Sequence, residues 1–360
     1  MKGYFKIGLL LVFSIFCLVA CGDDSQTSSS NDSTESKELV VVDWGGAGQE
    51  AAKKTIYAAF EKEFGVKVTA VSPPDSGKLK TMVESGNVEW DVVSEEAGIA
   101  LRLAKEGLFE ELDFDVIDTE NINPEMVTDY TIGHQIYNLN IAYNTEVFGD
   151  DHPKNWAEFW DTVKYPGPRA LATEVFGLME IALLADGVKT DELYPLDIDR
   201  AFKSLDKIKD HVKVWWDAGA QPPQLLASKD VVVSSAWNGR ISAAKDEGAN
   251  VENEFNQAAI SYTSWAVPKG SPNKDLAMEF INFALQAEQQ AEYSKIIDYS
   301  PTNQKALALL PEDVLERLGQ KEDEKKDQFI INAEYWSEHF EEVNERFNKW
   351  SISRSVMVTP

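Results

Sequence analysis

From Leu39 onward the chain alternates short apolar, β-branched runs with segments of helical period, and that alternation constrains the fold class more than any other feature. Leu39 to Asp43 reads as a strand. Gln49 to Phe64 carries Ala52, Ile56, Phe60 and Phe64 on one helical face and stops at Gly65, after which Val66 to Val71 is strand-like again. Leu79, Met82 and Val83 mark a helix closed by Gly86, Trp90 to Val93 a third strand, and Ile99 to Lys105 a third helix closed by Gly107. Strand, helix, strand, helix, strand predicts a parallel sheet in α/β layers.

The middle of the chain repeats the theme with different loops. Trp156 to Val163 and Leu178 to Leu184 read as helices, Ala201 to Trp216 as a longer one, and Val231 to Ser235 as a buried strand. Two α/β lobes are expected rather than one very large sheet. Later, Leu276, Phe280, Ile281 and Ala284 form one helical face, and Trp336, Phe340, Val343, Phe347 and Trp350 another. The charged run Lys321 to Asp327 reads as a solvated helix or turn.

The N-terminus carries an address. Lys2 and Lys6 precede an apolar stretch, Ile7 to Ala20, that is too short to span a bilayer and ends on Leu18-Val19-Ala20-Cys21. This resembles the lipobox of bacterial lipoproteins, and the resemblance implies cleavage before Cys21, whose thiol then carries the lipid. Residues 1–20 are thus expected to be a signal peptide and 21–38 a flexible tether, because GDDSQTSSSNDSTESKE has no apolar side chain with which to offset its ordering entropy. Cys17 would leave with the signal, so no cysteine would remain for a disulfide, a thiolate metal site or a nucleophile. The fold must then rest on its core, for which 43% hydrophobic content and ten tryptophans provide material.

The formal charge is −27. An acidic body of this kind repels phosphate backbones and attracts cations, so nucleic acid is not an expected partner and a cationic solute suits the overall field. Enzyme chemistry is hard to find. His134, His152, His211 and His339 stand singly, with no HExxH or His-x-His spacing, and read as surface or satisfied core histidines. There is no GxSxG, Walker loop or GxGxxG; Gly45-Gly46-Ala47-Gly48 reads as a tight strand-to-helix turn that exposes backbone N–H groups. No catalytic residue, metal or cofactor is assigned.

What the chain offers instead is aromatic residues at strand ends. Trp44 follows the first strand, Trp237 follows Val231 to Ser235, and Tyr299 precedes Ser300-Pro301-Thr302. Ligands of open α/β sheets collect beyond the carboxyl ends of the strands, so these three are cleft candidates; their faces suit an alkyl chain and a cationic head. Trp90, Trp156, Trp160, Trp215 and Trp350 read as core packing.

Taken in order, VVDWGG, EFGVKV, WDVVSEE, LAKEGLFEELD, NIAYN, NWAEFWD, YPGPRAL, VVVSSAWNGR, SWAVPKGSPNKDLAMEFINFAL, SPTN and AEYW make the chain from Leu39 to Pro360 similar to the extracellular solute-binding proteins of ABC importers, in their spermidine/putrescine-binding branch. The resemblance implies a type II periplasmic-binding-protein-like α/β fold. It has two lobes, each a mixed sheet flanked by helices, with hinge crossings near Asn140 to Asn144, Trp265 to Pro268 and Ser300. Lobe 1 would comprise 39–143 plus 266–305, and lobe 2 would comprise 144–265 plus 306–360. A monomer without enzymatic activity is expected, tethered by its lipid outside the cell membrane and delivering a small solute to the permease subunits of the importer.

Carried over residue by residue, the family site falls on Trp44, Ser94, Trp237 and Tyr299, with Glu174, Glu95 or Glu96 as acidic amine ligands and Trp336 near the last cleft position. Two positions depart from the polyamine pattern. Arg240 stands where those binders have Asp after Trp-x-Gly, and Thr263 where they place another Asp. A guanidinium repels a diamine and holds a carboxylate bidentately. The expected solute is therefore a polyamine by family default, or an amino carboxylate such as a γ-aminobutyrate-like compound by these substitutions. Pairing of Arg240 with a protein carboxylate is the alternative use of that side chain.

Overall fold

A computed structural model describes residues 38–319 and 327–355, with side chains through residue 351. The expected signal peptide, Cys21, the tether up to residue 37 and residues 320–326 of the charged run lie outside the described residues.

Among the described residues, ten strands join one mixed sheet. They are β1 Glu38–Val42, β2 Lys67–Val71, β3 Val92–Glu96, β4 Ile132–Asn144, β5 Arg169–Ala172, β6 Val212–Trp216, β7 Val233–Trp237, β8 Val251–Ala266, β9 Ser300–Pro301 and β10 Phe329–Ile330. The order runs β2-β1-β3-β8-β4-β7-β5-β6, with β9 on β4 and β10 on β8. β1 pairs parallel with β2 and β3, and β5 pairs parallel with β6 and β7, as strand–helix–strand units require. β4 and β8 run antiparallel through the middle and join the two halves.

These central strands explain how one sheet carries two lobes. At 13 and 16 residues they are far longer than an ordinary strand of about 5–6. Their register shifts between Gly133 and Gln135 and between Leu139 and Ile141, and such bulges bend a ladder. Along β4, Tyr137 packs into one hydrophobic core with Leu39, Phe60 and Phe280, whereas Leu139 packs into another with Trp156, Leu205 and Trp216. Along β8 the same passage falls between Ala259 and Trp265. After Ser300, Ala306, Leu310, Val314 and Leu318 still pack on Ala291. The terminal helix Ala333–Ser355 then places Trp336, Val343 and Phe347 in the second core.

Helix ends follow local chemistry. Asp75 and Asn155 accept from backbone N–H groups at helix starts, and Gly65 and Gly86 take left-handed conformations at the ends. The long helix expected over Ala201 to Trp216 is a correction. A helix spans Ile198–Ile208, a turn follows at Lys209–His211, and Val212–Trp216 is β6. Phe202, Leu205 and Ile208 keep helical spacing, but Val-Lys-Val-Trp-Trp is a β-branched and aromatic run, and pairing with β5 buries Trp216 completely. The helix starting at Trp156 stops at Trp160, short of the expected Val163, which is exposed.

Candidate functional site

Where the two cores meet, a cavity opens beyond the carboxyl ends of β1 and β7. Its volume is about 60 Å³. One buried water needs about 10–15 Å³, so the cavity suits a solute of a few heavy atoms.

Seven residues picked out from the sequence line it: Trp44, Ser94, Glu174, Trp237, Arg240, Thr263 and Tyr299. The aromatic ones form a connected wall. Trp44 meets Trp237 edge-on at 6.4 Å, Trp237 meets Tyr137 at 6.2 Å, and Tyr137 meets Tyr299 at 6.4 Å. Trp237 packs against both cores at once. Edge-to-face contacts of this kind fix the rings without any ligand.

Arg240 sits in the helix Asn238–Asp246 that follows β7 and is 8% exposed. Its Nη2 donates to the Gly45 carbonyl oxygen at 2.8 Å, across from the turn after β1. The Tyr299 hydroxyl lies beside the guanidinium, whose charge counters the upward push that burial gives the phenol. Among the described residues no carboxylate lies within ion-pair distance of Arg240, and its buried Nε has no hydrogen-bond partner. The buried indole N–H groups of Trp44 and Trp265 also lack acceptors. Buried donors of this kind are costly unless something accepts from them.

Glu174 is the opposite pole. It precedes the helix Val175–Ala185 but makes no capping bond to it, and no cation pairs with its side chain among the described residues. Burial, and after it the charge of Glu96, push its carboxyl up to about 8. The other carboxylate in the cavity wall, Asp43, is saturated: Gly45 N–H, Gln49 Nε2 and Tyr57 Oη donate to it at 2.9, 2.7 and 2.7 Å. Burial raises its pKa, and those three bonds oppose the rise.

A third polar group is one the sequence reading set aside. His134 lines the cavity, its ring stacked on Trp265 at 3.9 Å. Its Nε2 lies 2.8 Å from Ser94 Oγ and 2.9 Å from Thr263 Oγ1, and burial holds its pKa down at about 3, so the ring is neutral. Thr263 is therefore tied to an imidazole. Gln135, Tyr293 and Gln290 complete this side. A lone histidine has no spacing pattern to mark it; only the pairing of β4 with β8 brings it to the site.

Three expected residues do not line the cavity. β3 runs further than Val93, through Glu96, and the pleat turns Ser94 inward and Glu95 to the other face, beside Ser76 and Arg102. There burial and the Glu96 charge raise the Glu95 carboxyl to about 8. Glu96 caps the helix Ala97–Lys105, accepting from Gly98 and Ile99 N–H groups and from Ser261 Oγ, while burial lifts it to about 7. Trp336 is buried in the second core and donates its indole N–H to Glu180 at 2.7 Å.

Known proteins resemble this arrangement along nearly the whole chain. The γ-aminobutyric acid-binding protein of Pseudomonas aeruginosa is 39% identical over 324 residues, covering 88% of this chain and 92% of that protein. The solved Atu4243-GABA receptor superposes with a TM-score of 0.81 at 41% identity, covering 87% of this chain and 97% of that one. The spermidine/putrescine-binding periplasmic protein 1 of Haemophilus influenzae is more distant, 24% identical over 83% of this chain and 85% of its own length. The family model for bacterial extracellular solute-binding proteins matches residues 55–318. With that match over most of its length, two cores on one bent sheet and a small cavity between them, the chain belongs to that family, as the substrate-binding component of an ABC importer.

Proposed function

We propose that this binding component captures an ω-amino carboxylate of the γ-aminobutyrate type, with its carboxylate on Arg240 and its ammonium toward Glu174. One observation carries the reading. Arg240 and the ionisable carboxyl of Glu174 line the same small cavity, and among the described residues neither has an ion-pair partner. A zwitterion supplies both missing partners. A diamine would place an ammonium near the guanidinium, and like charges about 4 Å apart cost on the order of 4 kcal/mol at an effective dielectric constant of 20. The greater similarity to a γ-aminobutyrate binder than to a polyamine binder agrees with this choice.

The hinge is assigned to β4 between Tyr137 and Leu139 and to β8 between Ala259 and Trp265, where side chains pass from one core to the other. Closure there brings the Arg240 helix and the β1 turn onto the solute together, and the permease would read the closed form. Anchoring through a lipid on Cys21 rests on the lipobox alone, and the protein acts as a monomer.

Titration calorimetry with γ-aminobutyrate, putrescine and spermidine tests the reading. γ-Aminobutyrate should bind best, and Arg240→Ala should weaken it by about ten- to a hundredfold, the range for a hydrogen bond to a charged group. Preferential putrescine binding that ignores Arg240→Ala overturns it.

A further inference from the structure

Gly46 approaches the Arg240 guanidinium too closely to leave room for a side chain, whereas Gly219 lies against the Trp237 ring. Gly46 has φ +60°, and a Cβ there would lie 2.4 Å from Arg240 Nη1, 3.2 Å from Cζ and 3.4 Å from Nη2. A Cβ on Gly219 would lie 2.5 Å from the Trp237 ring and 3.4 Å from Arg240 Nε. Real atoms do not approach to 2.4 Å, so a methyl on Gly46 displaces the guanidinium. The guanidinium must shift to make room, and its bond to the Gly45 carbonyl oxygen shifts with it.

From this geometry we infer that Gly46 is a positioning residue that sets the cleft's preference for a carboxylate by fixing where the Arg240 guanidinium stands. The inference rests on the reading that Arg240 receives the solute's carboxylate. Gly46 begins the helix Gly46–Ala52, which packs into the first core, whereas Arg240 lies beside Ile241 of the second. The fit between glycine and guanidinium therefore forms across the cleft, and it links carboxylate recognition to closure. Bidentate pairs depend steeply on donor placement, so a shift of this size costs affinity without removing the charge.

A double-mutant cycle tests this on the full-length protein, with γ-aminobutyrate as the probe and calorimetric Kd as the readout. Gly46→Ala should weaken binding at least tenfold, and adding it to Arg240→Ala should change Kd by less than twofold, because the group it acts through is gone. Equal losses in both backgrounds would mean a merely structural effect and overturn the inference, as would wild-type affinity in Gly46→Ala. If Arg240→Ala abolishes tight binding while Gly46→Ala is silent, this inference falls and the ligand reading stands. If the wild-type protein binds no ω-amino carboxylate, both fall. Should Gly46→Ala not fold, its melting temperature in the Arg240→Ala background decides: recovery of the fold there places the clash on the guanidinium, and no recovery overturns the inference.

Discussion

With Glu174 as the proposed partner of the solute's ammonium, its raised pKa predicts the direction in which affinity depends on pH. In the free protein its carboxyl is raised to about 8 by burial and by Glu96, so at neutral pH it mostly holds its proton. Pairing with an ammonium requires the carboxylate, so capture must release that proton. Affinity is then full above pH 8 and falls as the pH drops, by about tenfold, or about 1.4 kcal/mol, for each unit below 8. Between pH 9 and pH 6 the expected loss is roughly a hundredfold, while the carboxylate and ammonium of γ-aminobutyrate keep their charges. His134, with its pKa near 3, contributes nothing in this window. Calorimetry at pH 6, 7, 8 and 9 in buffers of different ionisation enthalpy reads both the slope and the proton release, which should approach one per solute at pH 6. Glu174→Gln should bind more weakly at pH 9 and lose most of the slope, keeping only what Glu96, raised to about 7, contributes. Flat affinity in the wild-type protein, or an unchanged slope in Glu174→Gln, would refute the assignment.

Three further outcomes are expected. Arg240→Lys keeps the charge but loses the fork, and should recover only part of the γ-aminobutyrate affinity lost in Arg240→Ala, measured in the same titrations. Glu95 is buried away from the cavity with its folded pKa raised to about 8, so its contribution is favourable below the unfolded value near 4.5 and is lost as pH rises toward 8. Melting curves should therefore show Glu95→Gln more stable than wild type at pH 9, by at most about 5 kcal/mol, with the difference vanishing below about pH 4.5. Cys21→Ser should move the protein from the membrane fraction to the soluble fraction on cell fractionation without altering solute affinity.

Trp44, Trp237, Tyr299 and Arg240 are legible in the sequence from local patterns, whereas Tyr137, which joins Trp237 to Tyr299, carries no such mark. Trp44 and Trp237 stand at the ends of β1 and β7, and Arg240 stands out against a family motif. What stayed hidden depends on pairing between distant strands. His134 reaches Ser94 and Thr263 only because β3, β8 and β4 lie side by side. The different fates of Ser94 and Glu95 follow from extending β3 past Val93, since the pleat sends neighbours to opposite faces. Phe202, Leu205, Ile208, Val212 and Trp216 fit a helical period that runs on through the residues of β6, and only the partner strand β5 decides against it. The isolation of Glu174 could not be read at all, because it is a statement about which cations are not beside it.

The account turns on which way round the solute lies, and a crystal structure of the complex with γ-aminobutyrate measures that directly. The carboxylate oxygens should accept from Arg240, and the ammonium should lie within hydrogen-bond distance of Glu174. A carboxylate placed away from Arg240, or an ammonium held by Asp43 in place of Glu174, would contradict it.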